Sequence, residues 1–184
     1  MVELWRLGRN RYGRAVYERL TAAGVTATWM SEYRRPLDDA PSRTVPDLTV
    51  KHCEPAAVGP LGAPVGELHD DEWVVAAFDG DTPVGYLFCS LDARLDIAPL
   101  ERSMRFDGAY LRRVYVVPDH RKRGVASALV ATACRDARDR GAERATALVA
   151  RDNVPSRALF ESHGFTVGRD HRYVRVGPFS YGPL

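Results

Sequence analysis

Hydrophobic positions in most of the chain fall into short runs rich in β-branched residues, separated by turn residues, which is the pattern of a strand-rich protein. Residues 48–53 predict a first strand. Residues 73–78 and 84–90 predict a hairpin, because Asp79-Gly80-Asp81-Thr82-Pro83 between them is a good turn sequence. This part of the chain therefore predicts antiparallel pairing.

The pattern then changes to strands that alternate with helices. Residues 109–117 predict a strand, residues 125–140 a helix that ends at Gly141, and residues 144–150 another strand. A helix between two strands of one sheet makes a crossover that leaves those strands parallel. The order predicts a parallel β-α-β unit in the middle of the sheet.

The last part of the chain predicts a short helix and a final pair of strands. Asn153 can cap this helix, Pro155 suits its first turn, and Gly164 lies just past its end. Residues 165–167 and 171–176 predict the strand pair. Taken together, the elements predict an α/β (α+β) fold with a mixed, mostly antiparallel sheet, a central parallel crossover and covering helices.

The first 45 residues show a different pattern from the rest. Residues 14–23 have apolar residues at helical spacing before Gly24, and the Pro- and Asp-containing RRPLDDAPSRTVP follows without a period. We expect a helical arm over residues 1–45 and one domain over residues 46–184. An irregular extension that covers a sheet edge or a pocket is the alternative.

Composition excludes several classes of protein. The formal net charge of +2 gives no strong basic field, so nucleic-acid binding is not expected. The three cysteines are far apart and show no zinc-ligand spacing, which favours a cytoplasmic protein without a metal. No apolar run approaches the roughly 18 residues that span a bilayer, so no membrane partner is expected.

The stretch VYVVPDHRKRGVASALV, residues 114–130, runs from a strand through a basic glycine loop directly into a helix. The first amides of a helix lack intrahelical partners and attract anions. Gly124 allows close approach, and Arg121, Lys122 and Arg123 add positive charge. The stretch predicts a phosphate site, although a plain strand–turn–helix connection is the alternative. No dinucleotide or P-loop glycine motif occurs in the sequence.

In combination, these motifs resemble those of the GNAT superfamily of acyl-CoA N-acyltransferases. The matching elements are V-Y-V-V-P-D-H-R-K-R-G-V-A, a helix, a strand ending in A-R-D-N, and A-L-F-E-S-H-G-F, with the hairpin FDGDTPVGYLF upstream. The resemblance covers residues 47–176. It implies acetyl-CoA as acyl donor, with the pantetheine arm against the strand at Val114 and Val116, which a bulge separates from its neighbour. The residues that the resemblance implies for cofactor binding are Val114, Tyr115, Val116, Arg121, Lys122, Arg123, Gly124, Val125, Ala126, Ser127, Asn153 and Phe160.

The catalytic groups are less well defined by this resemblance. Phe160 stands where several relatives carry a tyrosine acid, and Leu148 stands where ribosomal-protein acetyltransferases carry a glutamate base. Tyr110 and Arg112 share one strand face, so Tyr110 is a candidate proton relay and Arg112 a candidate anion-binding group. Both residues are equally well explained as polar groups near a sheet end. Proximity and backbone groups alone can also supply much of the catalysis.

The function implied is acetyl transfer from acetyl-CoA to a primary amine of a small molecule, a protein N-terminus or a lysine, in a ternary complex. A sensor that binds acyl-CoA without turnover is the alternative, and a homodimer is possible. Nucleic-acid binding through the arginines of the arm is a third hypothesis, weakened by the acidic residues there. The segments 54–66 and 92–107 predict loops without a diagnostic motif, so the acceptor stays undefined.

Overall fold

A computed structural model describes residues 25–39, 44–177 and 179–181. The strands in these residues are β1 Val25–Pro36, β2 Leu48–Cys53, β3 Trp73–Asp79, β4 Thr82–Leu91, β5 Arg94–Ile97, β6 Arg102–Arg105, β7 Ala109–Val116, β8 Arg144–Ala150, β9 Thr166–Val176 and β10 Phe179–Tyr181. The α-helices are α1 Val125–Asp139 and α2 Val154–Ser162. Short 3₁₀ helices occupy Pro55–Leu61, Val65–Glu67, Ala98–Leu100 and Pro118–His120. Neither described α-helix has the length and apolar character needed to cross a membrane.

Eight of the described strands form one mixed sheet, in the order β10-β9-β1-β8-β7-β4-β3-β2. The remaining strands, β5 and β6, pair as a separate hairpin. Adjacent strands of the sheet are antiparallel except β7 and β8, which are parallel and are connected through α1. The predicted mixed sheet with a central parallel crossover is confirmed.

One face of the sheet, called here the helix face, is covered by α1 and α2. The buried side chains of Leu129 and Val130 in α1 pack with Leu87 and Leu111 of the central strands in the main core cluster. Small residues recur along α1, which lets the helix approach the sheet closely. From α2, Phe160 joins the same cluster.

The opposite face, called here the hairpin face, is covered by the 3₁₀ helices and by the β5–β6 hairpin. Val58 of the first 3₁₀ helix is fully buried in a cluster with Phe88. Leu95 and Phe106 attach the hairpin segment to Tyr110 of β7. The predicted loop over residues 92–107 is therefore wrong, because its apolar residues let it pair with itself and pack on the sheet.

The first strand lies inside the sheet, between β8 and β9, and is antiparallel to both. Tyr33 is 1% exposed and donates a hydrogen bond to Glu161 Oε1 at 2.8 Å on the helix face. The arm predicted over residues 1–45 is therefore wrong for residues 25–36, whose buried polar residues Ser31 and Glu32 have hydrogen-bonding partners on β9. The predicted helix at 14–23 lies outside the described residues.

Two further predictions need correction. The end of the chain was expected to contain two short strands at 165–167 and 171–176, but Thr166–Val176 is one continuous strand. Pairing with β1 along its length holds it extended through the polar residues between those runs. The segment 54–66 forms 3₁₀ helices instead of an irregular loop, since its prolines and glycines suit tight turns.

The parallel strands β7 and β8 separate soon after they begin. They pair only at Ala109 with Ala145 and at Tyr110 with Thr146. Beyond that point, Arg113 and Val114 on β7 oppose a single residue of β4, and Arg113 has a positive φ of 58°. This β-bulge bends β7 and leaves a wedge between it and β8, as expected for an extra residue in one strand.

The position of β1 makes a prediction about stability. Replacing Tyr33 with Ala should lower the free energy of unfolding by about 3–5 kcal/mol, because a fully buried ring is lost. Tyr33→Phe should cost about 1 kcal/mol, because only the hydroxyl contacts with Glu161 and Arg157 are lost. Urea unfolding measures both. Val154→Ala, at an exposed site in α2, is the control and should change the value by less than about 0.5 kcal/mol.

An effect of Tyr33→Ala no larger than that of the control would contradict the placement of β1 in the core.

Candidate active site

A cleft of about 720 Å³ lies between α1 and α2, where β7 and β8 diverge. Ten of the twelve residues predicted for cofactor binding line it: Val114, Tyr115, Val116, Arg121, Lys122, Gly124, Val125, Ala126, Ser127 and Asn153. The two segments that carry them are far apart in sequence. The cleft therefore brings together the β7–α1 connection and the start of α2.

One end of the cleft is an uncapped helix start. Lys122 and Gly124 have positive φ values of 59° and 85°, which turn the loop before α1 begins at Val125. Among the described residues, no side chain caps the first amides of α1. Those N–H groups lack intrahelical acceptors and lie at the positive end of the helix dipole. With Arg121 and Lys122 beside them, they form a site suited to an anion such as a diphosphate.

The space above Gly124 is open. Within the part of the chain that the structure describes, a Cβ atom placed on this glycine would contact only the side chain of Val45, at 3.7 Å. A side chain with φ near 85° would also be strained, since L-residues rarely adopt left-handed conformations. Gly124 therefore keeps both the turn and the approach to the helix amides free.

The long wall of the cleft is the edge of β7 that β8 leaves unpaired. Backbone groups of Val114 and Val116 lie along this edge, and Arg121 Nε donates to the Val116 carbonyl at 2.9 Å. On the other side, Asn153 Oδ1 accepts a hydrogen bond from Ser156 N at 3.3 Å and fixes the start of α2. An extended ligand with amide groups could add itself to the β7 edge as a further strand.

Two residues predicted for the cofactor do not line this cleft. Phe160 is 3% exposed and makes an edge-to-face contact with Phe165, with ring centroids 5.1 Å apart. It is a core residue, because its ring points to the sheet instead of the cleft. Arg123 is exposed beside the anion end, outside the lining residues.

Six lining residues were not identified from the sequence. His120 precedes the basic loop and contacts Asp79 at 3.1 Å between Nε2 and Oδ2. The other five residues belong to α2: Pro155, Ser156, Ala158, Leu159 and Ser162. Most of them follow the i, i+3, i+4, i+7 spacing of one helix face. Applying that period from Pro155 could have found Ala158, Leu159 and Ser162.

Tyr110 lies on the hairpin face and is deeply buried. Its ring stacks on Phe106, with centroids 3.9 Å apart, and its residue is 4% exposed. Burial raises the pKa of Tyr110 well above its usual range, and the nearby charges of Glu72 and Glu32 add to this effect. The phenol therefore stays protonated at physiological pH, so Tyr110 can donate or pass on a proton but cannot act as a phenolate base.

Arg112 lies on the same face but is already bound by acidic and carbonyl oxygens. Its Nε donates to Glu72 Oε1 at 2.6 Å, one Nη also contacts that carboxylate, and the same group donates to the Glu67 carbonyl at 2.8 Å. The hydrogen bonds to Glu72 raise the pKa of Arg112. The guanidinium also lies 5.4 Å from the centroid of Phe88. In this conformation Arg112 holds residues 67–72 against β7. The N–H groups that it donates to Glu72 and Glu67 are not available to an acceptor anion.

Fold and cleft together define a class of protein: a mixed sheet split at one parallel pair, with a helix start positioned for phosphate at the mouth of the split. The model of the Acetyltransferase (GNAT) family matches residues 28–165. The chain therefore belongs to the GNAT acetyltransferase family, as the sequence motifs had indicated. The match includes most of β1, in agreement with its place inside the sheet. No curated protein matches the sequence significantly.

Solved structures share the fold at low sequence identity. The chain is similar to a putative GNAT acetyltransferase from Novosphingobium aromaticivorans, with 16% identity, a TM-score of 0.60, and coverage of 83% of this chain and 65% of that one. A GCN5-related N-acetyltransferase from Kribbella flavida gives 16% identity, a TM-score of 0.60, and coverage of 87% and 62%. The chain thus spans less than two thirds of both.

A third similar structure contains a coenzyme A derivative. This structure is AAC(6')-Iy in complex with the bisubstrate analogue CoA-S-monomethyl-acetylneamine. The two proteins share 18% identity, with a TM-score of 0.53. The match covers 66% of this chain and 92% of the AAC(6')-Iy chain. At these identities the comparison supports the fold alone.

The anion end makes a prediction about ligand binding. Gly124→Glu should weaken coenzyme A binding by at least about tenfold, because the new carboxylate would lie where the helix amides and basic loop attract an anion. Isothermal titration calorimetry measures the affinity. The control is Gly141→Glu, which adds the same charge at a similar φ of 92°, with no atom within 4 Å of its Cβ and away from the cleft lining. Equal affinities for the two variants would contradict this placement.

The Arg112 contacts make a prediction about stability. Arg112→Ala should destabilise the fold by about 3 kcal/mol, because it leaves the carboxylate of Glu72, whose side chain is 0% exposed, without its cation. The double variant Arg112→Met with Glu72→Gln should recover part of that loss, because neither charge remains buried. Chemical unfolding tests both. A larger loss in the double variant would show that the pair does not act as a unit.

Proposed function

We propose that this protein is an N-acetyltransferase that moves an acetyl group from acetyl-CoA to a primary amine by direct transfer in a ternary complex. The observation that carries this proposal is the wedge between β7 and β8, which joins an anion-binding helix start on one face to the opposite face of the sheet. A donor held in the cleft and an acceptor approaching from the hairpin face could meet there.

Backbone groups are proposed to do most of the binding. The amides at the start of α1, with Arg121 and Lys122, would hold the diphosphate of acetyl-CoA. Main-chain groups of Val114 and Val116 would pair with the pantetheine arm. The bulge at Arg113 would aim the amide of Val114 at the thioester carbonyl, where a donor stabilises the oxyanion that forms.

The chemical step requires a neutral amine. An alkylamine such as lysine has a pKa of about 10.4, so roughly one molecule in a thousand is neutral at pH 7. Aligning this amine with the thioester is expected to supply about 7 kcal/mol or more of the barrier reduction. The core position of Phe160 and the apolar side chain of Leu148 leave acid and base roles to other groups.

The acceptor is proposed to be either a small polyamine-like molecule or a protein amine. The bisubstrate analogue bound to AAC(6')-Iy joins coenzyme A to acetylneamine, which is consistent with direct transfer on this fold. A cytoplasmic setting is part of the proposal, supported by the three cysteines, all of which are free thiols.

A sensor that binds acyl-CoA without turnover is the second candidate. Phe160 and Leu148 favour it, because neither side chain can exchange a proton. Such a protein would gain thermal stability from acetyl-CoA by mass action, as the enzyme also would. Release of the coenzyme A thiol in the presence of amines separates the two candidates.

The test is an acceptor screen with acetyl-CoA and neamine, spermidine, a lysine peptide and a peptide with a free α-amine. We expect thiol release that depends on the amine, together with an acceptor mass increased by one acetyl group. Gly124→Glu should lower kcat/KM for acetyl-CoA by at least about tenfold, and Gly141→Glu should not. Stabilisation by acetyl-CoA without acetylated product from any amine would favour the sensor.

A further inference from the structure

A buried group of charged and polar side chains on the hairpin face has no part in the cleft. Glu32 of β1 and His171 of β9 are 5% and 4% exposed, and His171 Nε2 lies 3.0 Å from Glu32 Oε2. Arg34 Nε donates to the other carboxylate oxygen, Oε1, at 2.7 Å. Arg102, from the β5–β6 hairpin, contacts Nδ1 of the same imidazole.

These contacts fix the direction of each hydrogen bond. A guanidinium can only donate, so Nδ1 of His171 accepts from Arg102 and carries no proton. The ring proton is then on Nε2, where it is donated to Glu32. Arg102 therefore holds His171 in the tautomer that orients the carboxylate. Oε1 of Glu32 is contacted by both Nε and Nη2 of Arg34, at 2.7 and 2.6 Å, so Oε2 is the oxygen that can accept from a further donor.

This carboxylate lies one strand away from the wedge. Glu32 is directly opposite Leu148 in the antiparallel pairing of β1 with β8, so both side chains are on the hairpin face. Leu148 lies on β8 two residues past the last contact with β7, so it borders the wedge. Neighbouring strands are about 4.8 Å apart, so Glu32 is one strand spacing from Leu148, and its side chain lies on the sheet face from which the acceptor is proposed to approach the wedge.

Two other observations point to the same location. The pairing of β1 with β9 shifts register between Glu32 and Tyr33, and such bulges re-aim side chains next to functional sites. The charge of Glu32 is also felt by the buried phenol of Tyr110, which borders the same region. Buried ionisable groups with specific charge partners are more frequent at functional sites.

We propose that Glu32 is the general base of the acetyl transfer, and that His171, held by Arg102, is the residue that positions its carboxylate. This inference rests on the proposed acetyltransferase function. An N–H bond of the acceptor ammonium breaks, its proton moves to Glu32, and the electron pair remains on the amine nitrogen. That nitrogen attacks the thioester carbonyl carbon, and the C–N bond forms as the carbonyl π electrons move to oxygen. The carbonyl re-forms as the C–S bond breaks, and its electrons leave with the coenzyme A sulfur. The second N–H bond of the attacking nitrogen breaks and that proton goes to the departing thiolate, which gives the amide and the coenzyme A thiol, while the first proton passes from Glu32 to solvent.

The charges around Glu32 determine how the pH dependence should respond. Donors and cations that favour the carboxylate are Arg34 on β1, His171 and Arg169 on β9, and Arg102 on β6, while Tyr110 on β7 is a neutral phenol. The base is active only as a carboxylate, so activity is lost as pH falls and the carboxylate is protonated. Removing a donor favours protonation and moves this acidic limb to higher pH.

The experiment measures kcat against pH at saturating amine, with the most reactive amine of the panel. Glu32→Gln should lower kcat by about 10²-fold or more and remove the acidic limb. His171→Ala should move the limb to higher pH, and His171→Gln, whose amide can still donate, should restore it towards the wild-type position. Arg102→Ala should move the limb in the same direction as His171→Ala, because the tautomer is no longer fixed.

Matched controls separate this role from a structural one. Glu67→Gln, at an exposed carboxylate beyond the other side of the wedge, should keep the limb. Arg105→Ala, on the same hairpin strand as Arg102 and paired only with Asp107 among the contacts described, should also keep it. All variants should retain wild-type stabilisation by coenzyme A, because the cleft lies on the helix face.

Distinct outcomes test the two proposals. A Glu32→Gln protein that binds coenzyme A and keeps wild-type kcat would overturn the assignment of the base. So would an unchanged limb in Arg102→Ala, a substitution that keeps Glu32 and His171 in place and is independent of the folding of the Glu32 variant. A wild-type protein that acetylates no amine overturns both proposals, whereas an active enzyme insensitive to these changes overturns only this one.

Discussion

The feature on which the rest of the structure depends is the failure of β7 and β8 to remain paired. Backbone amides and carbonyls that leave a sheet ladder must find other partners, because burying them unpaired is costly. The bulge at Arg113 and Val114 forces that separation, and it leaves one strand edge available to a ligand. Pairing of β8 with β1 keeps the other side of the split rigid. The cleft is thus an interruption in an otherwise continuous sheet.

The two faces of the sheet supply different kinds of interaction. On the helix face, main-chain groups and a helix dipole provide attraction for an anion, and the side chains are mostly small. On the hairpin face, side chains dominate, with the Arg112–Glu72 pair on one side of the wedge and Glu32 with His171 on the other. The anion site on the helix face can therefore tolerate side-chain substitutions, because it is built from main-chain groups. The interactions on the hairpin face depend on particular charged residues.

The sequence was most informative where structure follows from local signals. Gly124, Asn153 and Gly141 mark helix ends through φ preferences and capping, and the helices and cleft lining around them were largely predictable. The inner position of β1 was not, because its partners are more than a hundred residues away and its buried Ser31 and Glu32 read as surface residues.

The same limit applies to side chains whose role depends on distant partners. Arg112 was predicted to share a strand face with Tyr110, but its binding by Glu72 follows from a loop whose path has no sequence signature. Phe160 was assigned to the cofactor by motif position, although its neighbour Phe165 draws the ring into the core. The alternation of β7 gave the face that Tyr110 shares with Arg112, and only the structure shows the stacking with Phe106 that buries Tyr110.

The insertion of β1 between β8 and β9 also bears on how this chain reaches its native state. The strand that leaves the ribosome before all other described strands can bind its two neighbours only after the last part of the chain has been made. Until then, β8 and β9 have open edges, and long-range pairing of this kind is slow and prone to association between chains. The sheet is therefore completed at its interior, when β1 fills the position between β8 and β9, although β1 is synthesised before both of them.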